Sequence, residues 1–98
     1  NIKTITVVNN NQCLAQGLKN LGIAYGDTPE PNRKGECYEY LDTDFAQVAR
    51  SFGCFGVTVD RPGDFKKAFE AAMASSLPAV IDCKTEFAAQ APMPWLPA

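Results

Sequence analysis

A β-branched run leads directly into a cluster of amides in Ile5-Thr6-Val7-Val8-Asn9-Asn10-Asn11-Gln12. The apolar part predicts a buried β-strand, and the amides follow at the carboxyl end of that strand. In open parallel α/β sheets, ligands bind beyond the carboxyl ends of the strands. Amide and carbonyl oxygens suit a hard cation such as Mg²⁺, which often lies against phosphate groups. The run also has a purely structural interpretation, because asparagine commonly ends strands and forms turns.

The first helix is predicted from Asp44 to Phe52, after a long connection that contains several glycines and prolines. Thr43 or Asp44 is suited to cap its amino end, and Gly53 is expected to end it. Its apolar side chains recur at helical spacing and predict a stripe that faces the core. The members of that stripe are Phe45, Val48, Ala49 and Phe52.

Two more strands and a second helix are predicted downstream. Phe55–Val59 and Ala79–Cys83 are short apolar runs typical of strands, and the second is expected to be buried on both faces. Asp60 and Asp64 flank the start of the second helix, where we expect their carboxylates to cap free amides. The apolar face of this helix comprises Phe65, Ala68, Phe69, Ala72 and Met73. The order β-loop-α-β-α-β predicts an α/β fold, a three-layer α/β/α arrangement with a parallel sheet, present as a partial domain.

Composition favours a soluble protein with a packed core. Hydrophobic residues make up 46% of the chain, and nine basic and eleven acidic residues give a net charge of −2. Such a balance predicts no strongly basic surface that would attract nucleic acid or an anionic membrane, so we expect neither as a partner. No apolar run has the length needed to span a bilayer.

The four cysteines, Cys13, Cys37, Cys54 and Cys83, are too widely spaced for a paired-thiol zinc motif, and the chain has no histidine. We expect four free thiols and therefore a cytoplasmic location, although the even count also permits two disulfides. Asp82 lies in the last predicted strand. A carboxylate in that position needs a partner, so we expect it to be paired structurally and not to react with a substrate.

Three stretches together resemble the C-terminal half of the diphosphate-binding domain of thiamine diphosphate enzymes of the acetolactate synthase, oxalyl-CoA decarboxylase and pyruvate decarboxylase type. The stretches are Thr6–Asn10, Asp44–Gly53 and Pro62–Asp82. They occur in the order that the family shows, within a resemblance from Ile5 to Thr85. The resemblance places residues 1–86 in that half-domain and residues 87–98 in an extended tail, whose Trp95 is expected to dock on a neighbouring domain or subunit.

The resemblance implies two cofactors, thiamine diphosphate and Mg²⁺. It assigns the side-chain oxygen of Asn10 and the backbone carbonyl of Gln12 to the metal ion, and it gives Asn9 a role in shaping the turn. Relatives often carry glycine at the position of Gln12. Cys13 and Leu14 are expected beside the diphosphate or the thiazolium ring. No catalytic residue can be assigned within the chain.

The same resemblance implies a lyase or transferase that acts on a small 2-oxo acid. An acetolactate-synthase-like carboligase is the first interpretation, and a non-oxidative decarboxylase of a 2-oxo acid or of oxalyl-CoA is the alternative. In this family a carboxylate ligand to Mg²⁺ lies in an upstream Gly-Asp-Gly sequence, and an activating glutamate comes from a neighbouring subunit. Neither is found in these 98 residues. We therefore expect a segment of a longer polypeptide, inactive alone, that functions with the rest of that polypeptide in a homodimer or homotetramer.

A hypothesis from a different class is a catalytically inactive structural or assembly module that keeps only the half-fold. The residues upstream of Asn1 would discriminate between the two hypotheses. A nucleotide-binding α/β domain of another kind is disfavoured, because the chain lacks a glycine-rich phosphate loop.

Overall fold

The computed structural model describes residues 2–14, 23 and 39–86. Within this part of the chain, three parallel strands form one sheet: β1 (Ile5–Asn10), β2 (Phe55–Val59) and β3 (Ala79–Lys84). The strands lie in the order β1-β3-β2, with β3 in the centre. The helices of residues 39–86 are α1 (Phe45–Ser51), which precedes β2, and α2 (Phe65–Ala74), which follows a 3₁₀ turn at Pro62–Asp64 and precedes β3. The predicted fold class, element order and parallel pairing are confirmed.

The two helices lie on opposite faces of the sheet. Ile81 is aligned with Val7 and Val57 in the strand register, and α2 packs over this face through Ala68 and Ala72. Side chains alternate along a strand, so Asp82 faces the other side. There α1 lies against the sheet, since the backbone amide of Phe45 donates to Asp82. One helix therefore lies on each face of the sheet, as the three-layer prediction requires.

The two helices begin differently. Asp44 is the N-cap of α1, and its Oδ1 accepts a hydrogen bond of 2.8 Å from the backbone amide of Gln47. This satisfies one of the free amides in the first helical turn. Asp64 precedes α2 but makes no side-chain capping bond, so the capping prediction is wrong there. The start of that helix is shaped instead by Pro62 and the 3₁₀ turn.

Gly53 ends α1 as predicted. Its φ of 75° is in the left-handed region, which glycine enters without steric cost. The amide of Gly53 donates to the carbonyl of Arg50 at 3.0 Å, and the amide of Cys54 donates to the carbonyl of Ala49 at 3.0 Å. These two bonds form a Schellman motif, which satisfies carbonyls at the end of the helix.

The helices bury alanines where the sequence predicted aromatic stripes. In α1 the buried residues are Ala46 and Ala49, and Phe52 is 83% exposed. Phe65 and Phe69 of α2 are also exposed, and their rings stack with centroids 6.1 Å apart. The predicted stripes are therefore confirmed at Ala49, Ala68 and Ala72 and wrong at their exposed members, such as Phe52 and Phe69. On the α1 face the reason is that the helix approaches the sheet closely. A Cβ atom added to Gly56 would lie 2.1 Å from the carbonyl oxygen of Ala46, so only small residues fit along the contact.

β1 is less buried than predicted. Val7 is 47% exposed, whereas Ile81, its partner in the register, is completely buried. The reason is position: within the described residues β1 lies at an edge of the sheet, and β3 has a strand on each side.

Several predictions lie outside the described residues. They concern most of the long connection, Cys37, and the tail with Trp95. Residues 2–14, 23 and 39–86 contain no helix that could serve as a membrane span.

Candidate functional site

Asn10 is the last residue of β1, and its side chain has a defined orientation. The residue is 6% exposed. Its Nδ2 donates to Asp82 Oδ1 at 2.9 Å and to the carbonyl oxygen of Thr43 at 3.1 Å. Oδ1 therefore points toward the following loop, where it accepts a hydrogen bond of 3.2 Å from the amide of Gln12. An amide oxygen has two lone pairs, so this bond leaves a second acceptor position for a ligand.

Asp82 is the buried partner that Asn10 contacts. Its side chain is completely buried in the centre of the sheet. Oδ1 accepts from Asn10, and Oδ2 accepts a 3.0 Å hydrogen bond from the backbone amide of Phe45 and lies 3.5 Å from Lys84 Nζ. A buried carboxylate is tolerated when its oxygens are hydrogen-bonded and its charge is compensated. The prediction that Asp82 is paired structurally is confirmed.

Lys84 supplies the compensating charge. Its Nζ donates to Asp42 Oδ1 at 2.8 Å and to the carbonyl oxygen of Thr43 at 3.2 Å. The hydrogen bond to Asp42 raises the pKa of Lys84 above its usual value, and the charges of Asp82 and Asp42 add to this against the opposing effect of partial burial. Sequence analysis missed this residue. The signal was available, because positions 82 and 84 of one strand share a face and carry opposite charges.

Gln12 forms the turn after β1. Its φ of 61° makes it the one non-glycine residue with positive φ in the described part of the chain. Its carbonyl accepts a hydrogen bond of 2.7 Å from the amide of Tyr40, and Cys13 forms an antiparallel bridge with Glu39. The left-handed backbone explains why glycine suits this position, since glycine enters that region without strain.

The amides that shape the turn are Asn10 and Asn11. Asn11 Oδ1 accepts from the amide of Cys13 at 3.3 Å, in the same way that Asn10 accepts from Gln12. Asn9 lies inside β1, and its Oδ1 accepts a 2.6 Å hydrogen bond from the Thr85 hydroxyl. The turn-shaping role predicted for Asn9 is therefore wrong, because the strand continues two residues beyond its apolar part, as far as Asn10.

A small pocket lies at this end of the sheet. It has a volume of about 120 Å³ and is lined by Val8, Asn9, Asn10, Asn11, Gln12, Cys13, Tyr40 and Phe45. A second pocket of about 190 Å³ shares Asn11, Gln12 and Tyr40 with it. Sites for whole small molecules usually have about 300–1,000 Å³. The first pocket is therefore smaller than a site for a whole small molecule. Of the predicted site residues it brings together Asn10, Gln12 and Cys13, whereas Leu14 is exposed and does not line it.

A family model described as thiamine pyrophosphate enzyme, C-terminal TPP binding domain, matches residues 1–83. The chain belongs to this family. The TPP-binding domain thus contains all of β1, α1, β2 and α2, and β3 as far as Cys83. Thiamine pyrophosphate, also called thiamine diphosphate, is the cofactor of this domain. The resemblance is confirmed at the level of the TPP-dependent enzymes. A comparison with curated proteins found no match.

The cysteines of the TPP-binding domain are free thiols where the structure describes them, at Cys13, Cys54 and Cys83. Burial raises the pKa of the Cys83 thiol, and the nearby charge of Asp82 raises it further. Cys83 is therefore held in its neutral, weakly nucleophilic form at neutral pH. No group of three or more histidine, cysteine, aspartate or glutamate side chains among the described residues is arranged to hold a metal ion.

Proposed function

We propose that Asn10 Oδ1 and the backbone carbonyl of Gln12 hold a Mg²⁺ ion that binds the diphosphate of thiamine diphosphate. The observation that supports this most is the orientation of Asn10. Both hydrogens of its amide are directed to oxygens of Asp82 and Thr43, so its oxygen faces the turn at the carboxyl end of β1. In a chain of the TPP-dependent family, this is the end of a parallel strand at which a ligand is expected.

The chemistry of the donors fits this cofactor. Mg²⁺ prefers oxygen ligands, and it is usually bound by few protein groups together with phosphate oxygens. Asn10 and Gln12 offer neutral oxygens, which add no repulsion toward a ligand that already carries several negative charges. The carbonyl of Gln12 accepts one hydrogen bond, from Tyr40, and so has a second lone pair. The pocket volume suits the diphosphate end of the cofactor.

We propose a role in an enzyme that acts on 2-oxo acids, most like an acetolactate synthase. Thiamine diphosphate, when bound, supplies the carbanion-stabilising chemistry that lets a 2-oxo acid lose carbon dioxide. The contribution of this chain is to bind and orient the diphosphate end, with Cys13 beside it and Leu14 further along the loop. The carboligase assignment is supported by the sequence resemblance, and a decarboxylase of a 2-oxo acid or of oxalyl-CoA is the second candidate. A cytoplasmic homodimer or homotetramer completes the proposal.

The metal site is tested by calorimetric titration of thiamine diphosphate and Mg²⁺ into the intact protein and two variants. Asn10→Ala removes the proposed ligand, so binding should weaken at least about tenfold, the lower limit for losing even an indirect partner of a metal. Gln47→Ala is the control, because this amide side chain is exposed, contacts Arg50 and does not line the pocket. If Asn10→Ala binds the pair as tightly as the wild type, Asn10 is not a ligand.

The role of Gln12 is tested by substitutions that differ only in backbone preference. Gln12→Gly keeps the carbonyl and favours the left-handed conformation, so Mg²⁺ affinity should be retained. Gln12→Val keeps the carbonyl too, but β-branched residues strongly disfavour a φ of 61°, so affinity should fall. Equal loss in both variants would indicate that the glutamine side chain is the ligand, against the proposal.

The reaction is tested by product analysis of the intact protein with pyruvate and with oxalyl-CoA. Acetolactate formed from pyruvate supports the carboligase, whereas turnover without carbon–carbon bond formation supports the decarboxylase. Absence of any binding of thiamine diphosphate with Mg²⁺ would favour the inactive assembly module instead.

A further inference from the structure

We propose that Asp82 is a positioning residue: it sets the orientation of the Asn10 amide and so presents Oδ1 to the metal ion of the cofactor. This inference rests on the proposed function. Asp82 does not face the pocket itself, since it is completely buried and is not among the pocket-lining residues. It acts through a single hydrogen bond of 2.9 Å from Asn10 Nδ2 to Asp82 Oδ1.

The contact matters because the two ends of an asparagine amide have nearly the same shape but opposite hydrogen-bonding character. A rotation of the amide by half a turn would direct Nδ2 toward the loop, and an NH₂ group cannot bind a cation. Two acceptors, Asp82 Oδ1 and the Thr43 carbonyl, lie on one side of the amide. One donor, the amide of Gln12, lies on the other side. All three partners select the orientation in which the oxygen faces the turn.

Asp82 is itself held in place from three directions. It lies in the central strand, where Val8 of β1 and Thr58 of β2 are its register partners. The backbone amide of Phe45, at the first turn of α1, donates to Oδ2. Lys84 places its ammonium 3.5 Å from the same oxygen. With Oδ2 occupied in this way, Oδ1 is left for Asn10, and the helix, the sheet and the asparagine are joined at one carboxylate.

The decisive substitution is Asp82→Asn, which keeps the shape of the side chain but replaces one oxygen with an NH₂ group. The backbone amide of Phe45 still needs an acceptor, so the remaining oxygen should turn to α1. The new NH₂ group then faces Asn10 and forces its amide to rotate. Mg²⁺ affinity should fall by about 10–100-fold, the usual effect of losing a residue that orients a metal ligand.

The readout is the calorimetric affinity for thiamine diphosphate in the intact protein, measured over a series of Mg²⁺ concentrations. If Asp82 only positions Asn10, the variant should need more Mg²⁺ than the wild type to reach the same affinity for thiamine diphosphate, and saturating Mg²⁺ should restore that affinity. If the substitution instead damages the fold, a smaller fraction of the protein should bind thiamine diphosphate, and added Mg²⁺ should not increase that fraction. Loss of binding in a folded Asp82→Asn protein that excess Mg²⁺ cannot restore would therefore overturn the proposal, as would Mg²⁺ affinity equal to that of the wild type.

Asp42→Asn is the matched control for charge. Asp42 also pairs with Lys84, at 2.8 Å, but its side chain is mostly exposed and makes no hydrogen bond to Asn10. The substitution removes the same unit of charge from the same lysine, so Mg²⁺ affinity should change by less than about threefold, as expected for an exposed ion pair. A loss as large as that of Asp82→Asn would show that net charge, not amide orientation, controls the site.

Asn10→Asp tests the hydrogen bond between Asn10 and Asp82 by changing the donor instead of the acceptor. It replaces Asp82→Asn as the test if that variant does not fold. The new carboxylate would place an oxygen against Asp82 Oδ1 and the Thr43 carbonyl, so Mg²⁺ affinity should fall although the ligand gains a negative charge. Adding Asp82→Asn should recover part of that loss, because Asn at position 82 can donate to Asp at position 10. Tighter Mg²⁺ binding by Asn10→Asp than by the wild type would contradict the inference.

The two levels of the proposal fail in different ways. If the wild-type protein does not bind thiamine diphosphate with Mg²⁺, the proposed function is wrong. If the wild type binds, Asn10→Ala loses binding and Asp82→Asn binds normally, only the role of Asp82 is wrong.

Discussion

Ile81 and Asp82 are adjacent in sequence and both completely buried, yet they belong to two different faces of the sheet. Ile81 lies on the α2 face, in an apolar cluster with Val59, Ala68, Ala72 and Ala79. Asp82 lies on the α1 face, in a polar network that includes Asn10 and Lys84. The α2 face contributes stability through apolar burial, whereas the α1 face uses buried polar contacts to position a side chain at the end of β1.

The polar face is tolerated because its hydrogen-bonding groups are satisfied. Among the described residues, no buried side-chain nitrogen or oxygen atom lacks a hydrogen-bond partner. An unpaired buried polar group would cost about 1–3 kcal/mol, so each member of the network depends on the others. The apolar face has no such requirement, and its members should respond to substitution through volume alone. The following predictions test this difference, from the largest expected effect to the smallest.

Gly56→Ala should have the largest effect, on the α1 face. The added Cβ would lie 2.1 Å from the carbonyl oxygen of Ala46, and backbone cannot move aside as a side chain can. We expect a loss of about 4 kcal/mol or more in the free energy of urea unfolding, beyond the usual cost of overpacking. Gly63→Ala is the control, because no atom lies within 4 Å of its added Cβ. Equal stability of the two variants would mean that α1 does not approach the sheet so closely.

Ile81→Ala should destabilise the α2 face by about 3 kcal/mol, since it leaves a cavity in the apolar cluster. Val7→Ala provides the comparison, because Val7 is the register partner of Ile81 in β1 but is 47% exposed. This substitution should lower the free energy of unfolding by less than about 1 kcal/mol. Urea denaturation of both variants measures the difference. Similar losses would show that β1 is covered on this face in the intact protein.

Asp44→Ala should cost about 1 kcal/mol, through loss of the cap on α1. Asp64→Ala, at the equivalent position of α2, should have almost no effect, because its side chain makes no capping bond. Thermal denaturation of the two variants checks this contrast. A larger loss for Asp64→Ala would reverse our assignment of the caps.

The smallest effect is the pH dependence that Lys84 contributes. Its pKa is raised in the folded protein, chiefly by the hydrogen bond to Asp42, so folding favours the protonated form. The stabilisation should be complete below the ordinary lysine pKa of about 10.4 and should be lost as pH rises through the higher folded value. Denaturation between about pH 9 and 11.5 should show the stability difference between wild type and Lys84→Met shrinking with rising pH.

Local signals in the sequence were sufficient for most of the elements. The β-branched runs predicted β2 and β3 closely, and Asp44 and Gly53 gave the start and end of α1 because caps depend on neighbouring residues. Helical periodicity was less informative about burial. It selected Phe52 and Phe69 as core residues, although small residues face the sheet on both helices. Periodicity identifies an apolar side of a helix but does not report how closely that side approaches its neighbour.

The candidate site was only partly predictable for a similar reason. Asn10 and Gln12 stood out through their position after a strand, and Asp82 through its unusual place in an apolar run. Their relation could not be read from the sequence, because 72 positions separate Asn10 from Asp82. The strand order β1-β3-β2, which makes the last strand the neighbour of the first, brings them together.

The amino-acid sequence by itself determined the succession of elements, the parallel character of the sheet and the membership of the TPP-dependent family. These follow from local patterns and short motifs. Only the tertiary structure decided which way the Asn10 amide faces, that Lys84 compensates Asp82, and that alanines form the helix–sheet contacts. The physical reason is that hydrogen bonds and close packing depend on distances between residues far apart in the chain, and those distances are set when β3 enters the sheet between β1 and β2.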